Sequence, residues 1–241
     1  MQLMKKTLQR IVLVAIGVAW FGLAAPLSAT VLFDNRLNDL TTRFNPGTYQ
    51  VGDEIMLAGI GNLTYFSFEW WGTNTLKQDN SSFAGAIQAN VRFYYNTGAP
   101  FNGYNTPDAN PFWDSGWFSF SDVSATPTAR DIFTFVAGID FPSGGLPITS
   151  PDITWTVQFT GMGATDSVGV DLYSPPTVGT EVGDFGDYWQ YNGGWTLQTN
   201  TAGVAMDFGA YMETPEPSSL TLSIVGGVGI LLAVRRFRRN E

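Results

Sequence analysis

Ile87-Gln88-Ala89-Asn90-Val91-Arg92-Phe93-Tyr94-Tyr95 alternates between two kinds of side chain. Period two puts Ile87, Ala89, Val91, Phe93 and Tyr95 on one face of an extended strand and Gln88, Asn90, Arg92 and Tyr94 on the other. Ile153, Trp155, Val157 and Phe159 alternate with Thr154, Thr156, Gln158 and Thr160 in the same way. Similar patterns run through Leu63 to Trp71, Trp113 to Phe120, Ile132 to Val136, Val168 to Tyr173, Tyr188 to Tyr191, Trp195 to Gln198 and Val204 to Met212, with a further strand at Glu54 to Leu57. No stretch between Thr30 and Pro215 keeps a helical period. Turn chemistry separates the strands at Asn45-Pro46-Gly47, Asn96-Thr97-Gly98, Ser143-Gly144-Gly145 and Ser174-Pro175-Pro176, and Asn192-Gly193-Gly194 joins two aromatic strands as a hairpin. About ten strands with polar outer faces predict an all-β fold, an antiparallel β-sandwich of jelly-roll-like type, with a closed barrel as the alternative.

Composition supports one well-packed domain. The chain of 241 residues has 18 Phe, 9 Tyr and 8 Trp against 12 Lys plus Arg, ample material for a core. It has no cysteine and no histidine, which excludes disulfides, a serine triad, a cysteine–histidine dyad and an ordinary zinc site. Between Thr30 and Pro217 there are 20 carboxylates against five cations, Arg36, Arg43, Lys77, Arg92 and Arg130, a net charge of −15. Such a domain repels phosphate backbones, so nucleic acid is not an expected partner.

The two ends differ from the middle. Met1 to Arg10 is basic, Ile11 to Leu23 is apolar, and Leu27-Ser28-Ala29 supplies a small residue for cleavage after Ala29. This is the pattern of an export signal over 1–29, a permanent N-terminal anchor being the alternative. At the other end Pro215-Glu216-Pro217 precedes an uncharged run from Leu220 to Val234, and Arg235, Arg236, Arg238 and Arg239 follow. As a helix those fifteen residues span roughly 22 Å, short of a hydrocarbon core of roughly 30 Å. Extending the helix to about 218–234 and letting the arginines snorkel closes the gap and keeps the C-terminus in the cytoplasm.

Pro215-Glu216-Pro217, the apolar run with Gly226, Gly227 and Gly229, and the terminal arginines together resemble a PEP-CTERM sorting signal. The resemblance covers only the tail from 213 to 241. It implies recognition by a membrane-embedded exosortase, processing near the tripeptide, and a bacterial surface or matrix destination associated with exopolysaccharide and biofilm. It says nothing about the preceding domain, assigned to 30–212. Physically, two prolines with fixed φ hold the tripeptide extended and stop the membrane helix from propagating outward.

For that domain the candidate binding face comes from Leu63 to Trp71. If Phe66, Phe68 and Trp70 fill the core, Tyr65, Glu69 and Trp71 face solvent. Should this strand pair with the one carrying Gln88, Asn90, Arg92 and Tyr94, flat rings and planar hydrogen-bonding groups share one surface, which suits a polysaccharide. The bland alternative is that these rings pack under the loop from Thr97 to Phe112, whose Phe101, Tyr104, Phe112 and Trp113 either line a site or lid the sandwich. Asp34, Asp39, Asp184 and Asp187 carry oxygen ligands suited to structural calcium, without the spacing of an EF-hand. No other cofactor is expected. Glu69 is the best-placed acid for glycoside hydrolysis, but no second Glu stands at a familiar spacing and the Glu-x-Asp-x-x-Glu signature of one sandwich glucanase family is absent, so a non-enzymatic role is the expectation.

Overall fold

The computed structural model describes residues 29–74, 83–119, 131–183 and 186–215, and residues Thr30–Thr214 form one compact unit. Residues 1–28 of the expected export signal, Glu216, Pro217, the expected tail helix and its arginines lie outside the described residues, as does Asp184. Among the described residues every regular element is a strand, and no helix long and apolar enough to cross a membrane occurs.

In chain order the strands are β1 (Thr30–Asp34), β2 (Asp39–Phe44), β3 (Gln50–Met56), β4 (Gly61–Leu63), β5 (Tyr65–Asn74) and β6 (Gln88–Tyr95). Four short ones follow: β7 (Pro100–Phe101), β8 (Tyr104–Asn105), β9 (Trp113–Asp114) and β10 (Phe118–Ser119). Then come β11 (Asp131–Val136), β12 (Leu146–Ile148), β13 (Asp152–Thr160), β14 (Asp166–Tyr173), β15 (Thr180–Glu181), β16 (Asp187–Tyr191), β17 (Trp195–Thr199) and β18 (Ala210–Thr214).

Two antiparallel sheets carry the fold. In the first, β5 pairs with β11 along one edge, while its other edge is shared by β18 beside Tyr65–Phe68 and β14 beside Trp70–Asn74. Beyond them lie β1 on β18 and β2 on β14. In the second sheet β13 lies between β6 and β3; β9 and β10 extend β6, β15 and β16 extend β3, and β17 extends β16. Two small two-stranded sheets, β4 with the distant β12 and the hairpin of β7 with β8, complete the set.

The alternating strands face as their apolar residues dictate. Trp155 of β13 is fully buried between the sheets, its ring 5.4 Å from Phe66, 5.9 Å from Phe68 and 5.7 Å from Phe208. Phe66, Phe68 and Trp70 lie in the same core cluster, as the period of β5 requires. Each such aromatic contributes about 1.5–3 kcal/mol by leaving water. Along one side the sandwich-like stack closes on rings: Phe118 on Phe133 at 4.2 Å and Trp113 on Phe135 at 5.3 Å. The loop from Thr97 to Phe112 ends in the same way, with Phe112 stacked on Tyr95 at 4.2 Å, so it lids the stack.

One premise of the sequence reading is overturned. β5 and β6 do not pair; they belong to opposite sheets, and Phe66 meets Phe93 at 5.0 Å across the core. The outer residues of the two strands therefore lie on opposite surfaces. The end of the chain also differs: the pattern from Val204 to Met212 becomes β18 only from Ala210, and it runs to Thr214. The preceding segment bonds instead to β14, through Tyr173 N–H to the Asp207 carbonyl at 3.0 Å and Gly209 N–H to the Asp171 carbonyl at 2.9 Å.

Candidate functional site

The outer surface of the first sheet holds Tyr65, Glu69 and Trp71, and it is not an open platform. Trp71 is only 9% exposed, with the Arg43 guanidinium 5.5 Å from its ring centroid. Glu69 is buried and accepts a hydrogen bond from the Tyr173 hydroxyl at 2.5 Å. Tyr65 is half-buried, edge-on to Tyr211, over whose ring Arg36 lies at 3.7 Å. The expected exposure of Trp71 and Glu69 is corrected, because the side chains of β2 and β14 close over the outward residues of β5.

The outer surface of the second sheet holds Gln88, Asn90, Arg92 and Tyr94. Arg92 donates to Asp114 at 2.8 Å and to Gln50 Oε1 at 2.9 Å, and Gln50 donates to the Tyr94 hydroxyl and to Thr156 Oγ1, each at 2.9 Å. Tyr94 and Asn90 are buried. The Tyr94 ring is edge-on to Trp195 at 5.1 Å, and Trp195 Nε1 donates to the Asp108 carbonyl of the Thr97–Phe112 loop at 3.3 Å. Burial pushes the Tyr94 hydroxyl pKa up. Burial also acts to raise Asp114, but its hydrogen bonds with Arg92, the Gly116 N–H and Asn90, with the Arg92 charge, together outweigh it and hold the carboxyl below its ordinary value.

Three aromatics on this surface were missed. Trp189, Tyr191 and Trp195 come from the β16–β17 hairpin, where Trp189 lies opposite Gly52 and Tyr191 opposite Gln50. Their signal was in the sequence: rings flanking Asn192-Gly193-Gly194 at period two. Tyr191 is 39% exposed and Trp195 half-buried, so the hairpin presents rings to solvent beside the Gln50–Arg92 network. Trp189 is enclosed and donates from Nε1 to Glu54 at 2.7 Å.

Burial raises the Glu54 carboxyl to about 7 despite that hydrogen bond. A raised carboxyl stabilises the fold below its ordinary value of 4.5 and loses that contribution as pH climbs towards 7. Asp166 acts oppositely: N–H groups of Ala84, Gly85 and Gly163 overcome its slight burial and lower its pKa, so its contribution is lost in stronger acid. The melting midpoint in chelator-containing buffer should therefore fall between about pH 5 and about pH 8, and Glu54→Gln should flatten the fall. A midpoint that rises over this range would contradict the assignment.

A cavity of about 290 Å³ opens near β3 and β15, lined by Asp53, Glu181, Asp187 and Asp207 with Ser174–Pro176 and Gly179–Gly183. Burial holds the carboxyls of Asp53 and Glu181 well above the usual range and raises Asp207 as well. Of the sequence-predicted calcium residues, Asp187 lines this cavity, Asp34 pairs with Arg36 at 3.0 Å, and Asp39 accepts the Thr41 N–H at 2.6 Å. Among the described residues no three acidic side chains stand ready to hold one ion.

Comparison with known proteins finds no match. No protein family fits the chain, and neither a curated protein nor a solved structure is similar to it.

Proposed function

We propose that the chain is an exported surface or extracellular-matrix protein, associated with exopolysaccharide, whose jelly-roll-like domain is delivered through a PEP-CTERM sorting signal. Its role is structural or adhesive, not catalytic. The observation that supports this is where the folded unit stops. It runs from Thr30 to Thr214, beginning one residue after Ala29 and ending one residue before Pro215. Its first and last strands pair, Thr30 with Thr214, so both ends of the domain leave from one place. Such a domain can be released from both flanking segments without losing any of its described strands. The jelly-roll-like reading draws on the chain's repeated crossing between sheets: β3, β6, β13 and β16 in one, β5, β11 and β14 in the other.

On this reading exosortase is the processing partner, acting while the tail holds the protein in the inner membrane with the domain outside the cytoplasm. Replacing Pro215-Glu216-Pro217 by three alanines should leave an unprocessed form in the inner membrane of the host. A variant that reaches the surface at the mass of the parent would refute the sorting assignment.

A second reading, a polysaccharide-binding module, is favoured by the exposed Tyr191 and half-buried Trp195 beside amide and guanidinium groups. The net −15 between Thr30 and Pro217 directs it to neutral chains. Trp195→Ala should weaken binding to the neutral fraction of the host's own exopolysaccharide by about 1–3 kcal/mol, if aromatic stacking on a sugar matches that on a base. Affinity electrophoresis would measure it, and an unchanged mobility shift would exclude this hairpin as the site.

A further inference from the structure

The acidic cavity holds a feature that neither sorting nor sugar binding uses. β15 pairs with β3 so that Glu181 lies opposite Ile55, which places its side chain on the same face as Asp53, one diagonal step away. Asp53 is 3% exposed, and its Oδ2 accepts the Phe208 N–H at 2.8 Å. Glu181 Oε1 accepts a long hydrogen bond from Asn35 Nδ2 at 3.4 Å. Its carboxyl lies against that of Asp53, and among the described residues its enclosed Oε2 meets no N–H or hydroxyl donor. The adjacent carboxyl of Asp53, when ionised, can only accept as well. Two acceptors buried side by side require a positive charge or a shared proton between them. Among the described residues no Lys or Arg lines the cavity, and Asp187 and Asp207 add two further carboxyls at its wall.

We propose that Asp53, Glu181 and Asp207 form a binding site for a divalent cation of the calcium type. The donor set is oxygen only, in a chain without histidine or cysteine, which suits a hard cation and excludes the softer transition metals. Calcium accepts irregular coordination and the backbone carbonyls that the Ser174–Gly183 segment has at hand, whereas magnesium demands a near-ideal octahedron. The three carboxyls do not yet converge on one point, so binding draws Asp207 in towards Asp53 and Glu181. The ion would then tie the segment before β18 and the short β15 to β3, a cross-link in a domain that has no disulfide. The inference is independent of the export reading.

The test is calcium titration of the full-length chain by calorimetry, with thermal unfolding at neutral pH in calcium chloride and in chelator. Calcium at about 100-fold over its Kd should raise the midpoint by roughly 5 to 10 °C. Glu181→Gln should abolish both the heat of binding and the shift while still folding in chelator. Should that variant not fold, Asp207→Asn gives the same readout from the cavity wall, and Glu213→Gln, away from the cavity, should keep the full response. Absence of binding heat up to about 10 mM calcium would overturn the proposal, since even weak extracellular sites saturate there. Retention of the shift in both cavity variants would overturn it equally.

Discussion

Trp155→Ala should destabilise the domain by about 3–5 kcal/mol, a large share of the roughly 5–15 kcal/mol that holds an ordinary domain folded. Trp155 is the point where both sheets meet: it is fully buried and touches Phe66 and Phe68 of β5 and Phe208 of the chain leading into β18. Truncation removes the largest side chain there and leaves a cavity that three rigid rings cannot collapse to fill. Among the described residues the indole N–H has no hydrogen-bond partner, so the loss is one of packing. Trp155→Phe, which also deletes that orphan donor, should accordingly cost only about 1–2 kcal/mol. Urea unfolding of the three proteins measures the series. A Trp155→Ala protein within about 1 kcal/mol of the parent would mean that the sheets do not pack through this residue.

The facing of Trp155 was legible because period two is a property of one strand. The same rule assigned Phe66, Phe68 and Trp70 of β5 and Val91 and Phe93 of β6 to the core, where the structure places them. What period two cannot carry is which strands are neighbours. β5 and β6 follow one another along the chain, yet the connection crosses from sheet to sheet, and a surface assembled from Trp71 and Arg92 does not exist. Nor does alternation reveal what covers an outer face: Trp71 reads as exposed until Arg43 of β2 and the backbone of β14 are placed beside it. The acidic cavity was hidden for a related reason. Asp53, Glu181 and Asp207 are far apart in sequence, and each alone reads as a solvated charge. Only the pairing of β15 with β3 joins two of them.

Gly169→Ala is the second large effect, at about 3 kcal/mol or more, and it tests a contact that no sequence pattern announces. Between Val168 and Val170 this glycine reads as an ordinary outward position on β14. In the structure a Cβ there would lie 1.9 Å from the Phe44 carbonyl oxygen and 3.0 Å from the Trp71 Nε1. The first of these is backbone and cannot rotate away. Accommodating the methyl means pushing β2 off β14, where Val170 pairs with Phe44. That displacement pulls Phe44 from Tyr188, now 4.9 Å away, and loosens Trp71 beneath Arg43. Overpacking in a closed site costs about 1–3 kcal/mol where side chains can adjust, and here the obstacle is a neighbouring strand. Gly144→Ala supplies the contrast: its Cβ would meet nothing within 4 Å, so its stability should change by no more than about 0.5 kcal/mol. Equal midpoints for the two variants in thermal unfolding would show that β2 and β14 do not approach each other at Gly169.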